Sequence, residues 1–458
     1  MSAIYTSLPI NLPSAETHAQ NSDPFLFRRA RTWWLLLNLF LSASENSMFT
    51  RQDSAYWSVK DLSQKFDSKP NLLWLTAISC ALGLCLMIGY IGPTIRTMVK
   101  QKTVAAFAVL AFLSTFWSQA PGMTFRRAVL LSLGLTVSCF LATYYSPRDL
   151  RRIMLAAGLI VGIACIAWAV LLPQYGISVD GEWKGIFGHK NHMGLGILFF
   201  FSGLPFCEIP TRRRLLVLML QSLFPIGLIL LSRSMTSLIL VFVLVAVRML
   251  GPFVVSRRRE QIPFVVYSIV VGIPVLALAI IAGEAIILPL LGKDPSLSGR
   301  TDHWSILLPY MADHLWLGYG YKAFWTGSGD SLSVIRSVGG AMKGADSGYI
   351  DTMLQFGLVG MGWLMVILLV FFRDFARLAR RSPMPPIAFW YVAVGIMMFV
   401  GSYTEGLITF GIPVPEIVGA IAFVGLRNMY DERAIPSPAN KDSFRRFLPQ
   451  VTQQVVES

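Results

Sequence analysis

Charge is what this chain has least of. Only 14% of its 458 residues are Asp, Glu, Lys or Arg, against 54% hydrophobic, and the mean hydropathy is +0.59. Soluble domains carry about 25% charged residues, so a soluble globular enzyme is excluded at the outset. Cysteine is equally sparse. Cys80, Cys85, Cys139, Cys165 and Cys207 lie in or beside apolar runs without metal-type spacing, which excludes a disulfide or zinc framework and reads them as small buried apolar residues. Missing too are an acidic cluster with metal-ligand spacing, an ATP-binding motif and an internal repeat. The first 30 residues contain no apolar core and no small-residue cleavage site, so no cleavable signal peptide is expected.

What the chain does have is long apolar runs separated by short basic loops, the pattern of a polytopic membrane protein whose helices satisfy their own backbone hydrogen bonds. Candidate spans are 33–49, 72–91, 103–117, 128–145, 153–172, 192–206, 215–231, 235–250, 264–290, 347–372, 386–403 and 407–426. The expected fold is therefore all-α, with about twelve transmembrane helices. Residues 1–30 form an N-terminal tail, 31–290 carry helices 1–9, 291–346 form one large loop, 347–426 carry helices 10–12, and 427–458 form a C-terminal tail.

Charge orients this arrangement. With the N-terminus inside, 25 of the 39 lysines and arginines fall on inside loops or tails, and every inside loop has at least three. The positive-inside rule then places both termini in the cytoplasm and the large loop outside, in the periplasm of a bacterium. The net charge of +14 is read as topogenic arginine, not as a nucleic-acid surface.

Four polar stretches fall on the outer side. In "GIFGHKNHMG", His189, Lys190 and Asn191 open a short apolar segment. They serve either as a polar cap or as part of a site where helix amides meet an anion. In "SRSMTS", Arg233 is either a snorkelling arginine or a phosphate-binding one. In "SGRTDHW", Arg300 and His303 precede Trp304, which shares a helical face with Leu307, Leu308 and Met311. His314, Tyr319, Tyr321 and Trp325 follow in a glycine- and aromatic-rich turn. In "GADSGYIDTMLQFGLVG", Asp346 and Tyr349 stand at the outer start of a span, where Asp346 is either a helix cap or a reactive carboxylate. Glu284, Glu405 and Glu416 lie near or within apolar segments as partners for the arginines. A transporter would need a polar path through the membrane centre, whereas most polar residues here gather at one face.

These stretches, in this order, together with "WSQAPGMTFRRA" (Trp117 to Ala128), resemble the O-antigen ligase and polymerase superfamily over about residues 72–426, with the "GHKN" form nearest the exopolysaccharide-production branch. The resemblance implies a GT-C-like membrane glycosyltransferase of the bacterial inner membrane, with the large loop covering the site. It implies transfer of a glycan from undecaprenyl diphosphate, to the next lipid-linked repeat in a polymerase or to a lipid A core in a ligase. A flippase and a chain-length regulator of the same pathway are the implied partners. Many relatives carry His-Asn where this chain has Asp346-Ser347, so a carboxylate would replace the usual histidine base.

On the chemistry, Arg233, Arg300 and Lys190 are candidates to take up the charge of a departing lipid diphosphate. Asp346, His189, His303 and His314 are candidate bases, and Trp304, Tyr319, Tyr321 and Trp325 offer stacking faces for sugar. Asn191 and Tyr349 complete the expected binding set. The donor supplies the energy, so neither cofactor nor metal is expected.

Overall fold

The computed structural model describes residues 25–44, 82–83, 85–207, 212–255, 300–326, 330–337, 344–381, 384–408 and 413–434. The expected span 264–290, most of 72–91 and the outer loop 50–71 lie outside the described residues. Among those described, the regular structure is helical: α1 (Phe25–Ser44), α2 (Ile91–Lys100), α3 (Lys102–Leu113), α4 (Pro121–Tyr144), α5 (Pro147–Leu171), α6 (Lys190–Phe201), α7 (Arg212–Ser232), α8 (Met235–Val255), α9 (Arg300–Asp313), α10 (Asp330–Ser337), α11 (Gly348–Arg381), α12 (Pro386–Gly401) and α13 (Pro413–Ala434).

By length and composition α4, α5 and α11 can each cross a membrane, and the helices spanning Cys85–Phe116, bent by 89°, can together make one more crossing. The chain is a multi-pass membrane protein, and the count of twelve spans is not reached among the described residues. The basic stretch expected as a loop around Arg96 to Lys102 is itself helical and turns at Gln101.

Local sequence accounts for where helices begin. Pro147 occupies the first turn of α5, where a missing amide costs nothing. Ser146 caps it by accepting from the Asp149 amide at 3.2 Å. α6 and α12 form the centre of the bundle, with nearly every side chain buried. α6 has 12 residues, about 18 Å of helix at 1.5 Å per residue. That is far less than the roughly 30 Å hydrocarbon thickness, so α6 alone is too short to cross it.

The two ends of the bundle differ. At one end Arg151 and Arg248 donate to the carbonyls of Phe206 and Pro205, and buried Asp374 pairs with Arg427 (2.8 Å) and Arg373 (2.9 Å). At the other end the starts of α4, α6, α8 and α11 converge with the turn that follows α12. Asn191 bonds Glu405, Thr236 bonds Thr404 at 2.9 Å, and the Gly348 amide donates to Ser402 at 2.7 Å.

The irregular segment at this end follows from a break in α11. Gly357 has φ 58° and ψ −151°, a conformation essentially confined to glycine. A Cβ there would lie 2.4 Å from the Trp316 backbone. The break frees the carbonyls of Leu354 and Gln355, which the amides of Tyr319 (2.7 Å) and Gly320 (3.0 Å) take up, while Leu358 and Val359 donate back to Leu315 and Trp316. Non-helical backbone at such a position survives when freed groups find partners, as these four do. Residues 315–320 are thus laid along the opened helix, and Lys322 follows directly.

Candidate active site

A cavity of about 590 Å³ opens at the converging end. α4 supplies Arg127 together with an apolar wall of Leu130, Leu131 and Leu135, and α13 extends that wall with Ile417 and Ala420 and adds Glu416. His192 comes from α6, Tyr321, Lys322 and Trp325 from the turn after α9, Asp346, Asp351 and Gln355 from the start of α11, and Glu405 from the turn after α12.

The "WSQAPGMTFRRA" stretch holds the 317–324 turn in place. Trp117 donates to Leu317 (2.9 Å), Gln119 to Ala323 (2.9 Å), Thr124 to Tyr321 (3.2 Å), and the Arg127 guanidinium to the Lys322 carbonyl. Gly320, with φ 97°, passes so close to Ser118 that a Cβ would sit 2.6 Å from that side chain. Lys322 is left-handed (φ 51°), and its amide donates to the Gln355 side chain at 3.2 Å. Burial holds its amine below the usual lysine range, and the same burial raises the Tyr321 hydroxyl.

Among the described residues the non-glycine positions with left-handed backbone are Arg233, Lys322 and Asp346. Such conformations are uncommon outside glycine and gather at functional sites, and two of these three line the cavity.

The residues singled out in the sequence divide into two groups. Tyr321, Trp325 and Asp346 line the cavity, as do Glu405 and Glu416. Asp346 is exposed with φ 46°, which is not the extended backbone of a helix cap. The other described side chains in this set do not line the cavity. His189 caps α6, its Nδ1 accepting from the Asn191 amide at 3.3 Å. Lys190 pairs with Glu182, and the buried Asn191 donates to Glu405 at 2.6 Å.

The Trp304 indole donates to the Ala345 carbonyl at 2.8 Å and meets Tyr403 edge-on, and the Tyr349 hydroxyl donates to Phe399 at 2.7 Å. Tyr319 is buried, donates to Tyr310 and lies against the exposed His314 ring at 4.0 Å. Its hydroxyl is raised, chiefly by desolvation. His303 is half-buried on α9, and the Arg300 side chain lies outside the described residues. Arg233 is exposed in the turn between α7 and α8. On α9 the expected face is only partly kept: Leu307 is buried against Tyr319, Phe324 and Leu354, but Leu308 is 58% exposed.

No role was read from the sequence for Arg127, Lys322 or His192, nor for Asp351, although it stands with Asp346 and Tyr349 near the outer start of its span, and Glu405 and Glu416 were read only as partners for the arginines. The signal for the cations was present, since Arg127 and Lys322 are basic residues left on the outer side by the charge tally. Among the described residues no group of three or more His, Cys, Asp or Glu could hold a metal ion.

Comparison with known proteins adds a family. Residues 220–365 match the family described as O-Antigen ligase. The exopolysaccharide production protein ExoQ of Rhizobium meliloti (strain 1021) is 26% identical over 322 residues, covering 66% of this chain and 71% of that protein. No solved structure matches.

Proposed function

We propose that this chain, which resembles the O-antigen ligase family over residues 220–365 and is similar to ExoQ, is a metal-independent glycosyltransferase that lengthens an exopolysaccharide or O-antigen. The growing glycan, carried on undecaprenyl diphosphate, moves onto the next lipid-linked repeat at the periplasmic face of the inner membrane, with both termini cytoplasmic. A flippase and a chain-length regulator of the same pathway are the partners this reaction implies.

One observation carries the reading. A single cavity joins two cations, Arg127 and Lys322, to an apolar wall of Leu130, Leu131, Leu135, Ile417 and Ala420. That combination suits an amphiphile whose anionic headgroup meets the cations while its chain lies along the wall. The bond from sugar C1 to the diphosphate oxygen breaks, and its electron pair stays on the lipid diphosphate. Arg127 and Lys322 take up that charge in a site drier than water, where fixed charges act strongly. Arg233 and Arg300 are assigned to the same headgroup. Trp325 and Tyr321 offer ring faces to the sugar, and Asp346 accepts hydrogen bonds from the acceptor glycan.

Purified full-length protein in liposomes, supplied with the lipid-linked repeats that accumulate in a strain lacking it, is expected to lengthen them equally well with and without EDTA. Restoration of EDTA-lost activity by magnesium would overturn metal independence. Movement of the repeats across the bilayer without lengthening would mark a transporter. The family description also favours a ligase, which would transfer glycan only when lipid A core is added.

A further inference from the structure

We infer that Glu405 is the general base that removes the acceptor's proton, and that Asn191 positions it. The inference rests on the transfer reaction proposed above. A base for this step must be ionised, fixed in orientation and sheltered from bulk water.

Glu405 has the required setting. It is 4% exposed, lines the cavity, and its Oε1 accepts from the Asn191 side-chain amide at 2.6 Å. Its backbone is equally fixed: its amide donates to Gly401 at 3.0 Å, and its carbonyl accepts from Gly348 at 3.1 Å and Leu407 at 2.9 Å. Asn191 is itself anchored, since His189 caps its helix and Lys190 ties the same turn to Glu182. Each polar residue of "GHKN" therefore acts toward one result, a carboxylate held at the cavity wall.

Two other carboxylates, at the start of α11, face the same cavity. Asp346 is exposed, so it lacks the shelter from bulk water that this step requires. Asp351 accepts the Trp325 indole at 2.9 Å, which fixes that ring beside the cavity.

In the proposed step the acceptor hydroxyl oxygen forms a bond to C1 of the donor sugar as the C1–diphosphate bond breaks. The hydroxyl proton passes to the Glu405 carboxylate, and the electron pair leaves with the lipid diphosphate. Glu405 then returns its proton to water through the cavity. The other titratable groups facing this space are Arg127 on α4, His192 on α6, Tyr321, Lys322, Asp346, Asp351 and, on α13, Glu416.

Glu405→Gln separates a base from a structural partner, because glutamine still accepts from Asn191 but takes no proton. In liposomes with the accumulated lipid-linked repeats, Glu405→Gln is expected to lower kcat by about 100-fold or more with KM little changed, and Glu405→Asp to keep part of the rate. Asn191→Ala removes a donor to the ionised carboxylate and so raises its pKa. The acidic limb of the rate profile should then move to higher pH, a shift that loss of packing alone would not produce. Glu405→Gln lengthening chains at near wild-type rate, or Asn191→Ala slowing the reaction without moving the limb, would overturn the inference. Wild-type protein that lengthens nothing would instead refute the transfer reaction itself.

Discussion

The guanidinium of Arg127, near the start of α4, donates to the backbone carbonyl of Lys322. One cation thus fixes the position of another across 195 residues of sequence. Burial lowers the Lys322 pKa, so this amine loses its charge at a lower pH than an ordinary lysine. The reaction needs the charged form, which is present below that pKa and lost as pH rises through it. The kcat/KM profile is expected to show an alkaline limb below the usual lysine range. In Lys322→Arg, where guanidinium stays protonated, that limb should disappear while some activity remains. An unchanged limb in Lys322→Arg would assign it to another group.

Gly357 gives a second prediction. Its backbone lies in a region costing other residues about 1–3 kcal/mol, and a Cβ there would meet the Trp316 backbone at 2.4 Å. Gly357→Ala is expected to expel residues 315–320 from the opened turn of α11, leaving carbonyls 354 and 355 without their present donors. The protein should still insert, melt earlier in detergent, expose the 315–320 segment to protease and lose chain extension. A melting point and protease pattern like wild type would show that the break tolerates a side chain.

The gathering of the polar stretches at one end of the bundle was legible from their order and from charge. Placing "GHKN", "SRSMTS" and the start of α11 on one side anticipated a set of helix ends that hydrogen bonds do bring together, through Asn191–Glu405 and Thr236–Thr404. The division of labour within the set was not legible. Histidine, lysine and asparagine look alike reactive in sequence, and only the fold makes His189 a cap, Lys190 a tether and Asn191 a partner to a carboxylate more than 200 residues away. Lys322 was hidden because its position depends on the break at Gly357, and a lone glycine in an apolar run carries no sign of a segment inserted there. The helix pattern was readable where apolar runs were long, as in α4, α5 and α11, and less so at Gln101, where two short helices meet at 89°.

The orientation of the bundle gives a third prediction. In a cysteine-free background, a cysteine replacing Lys343, which lies outside the described residues, should react with an impermeant thiol reagent in intact spheroplasts, and one replacing Arg213 should not. The expectation follows from the basic residues gathered at the end that bears Arg151, Arg248 and Asp374, taken as cytoplasmic. Labelling at 213 and not at 343 would put the cavity on the wrong side for a periplasmic acceptor.

Chain extension by two charge-removing variants tests most directly whether the cavity is where glycan leaves the lipid diphosphate. Arg127→Gln and Lys322→Met, each purified in full length and assayed in liposomes with the accumulated lipid-linked repeats, are expected to extract, fold and melt close to wild type. Each should lengthen chains about 100-fold more slowly, the usual cost of removing one charge-stabilising group from a dry site. If both variants lengthen chains at the wild-type rate, the departing diphosphate is not held between Arg127 and Lys322, and the reaction takes place elsewhere.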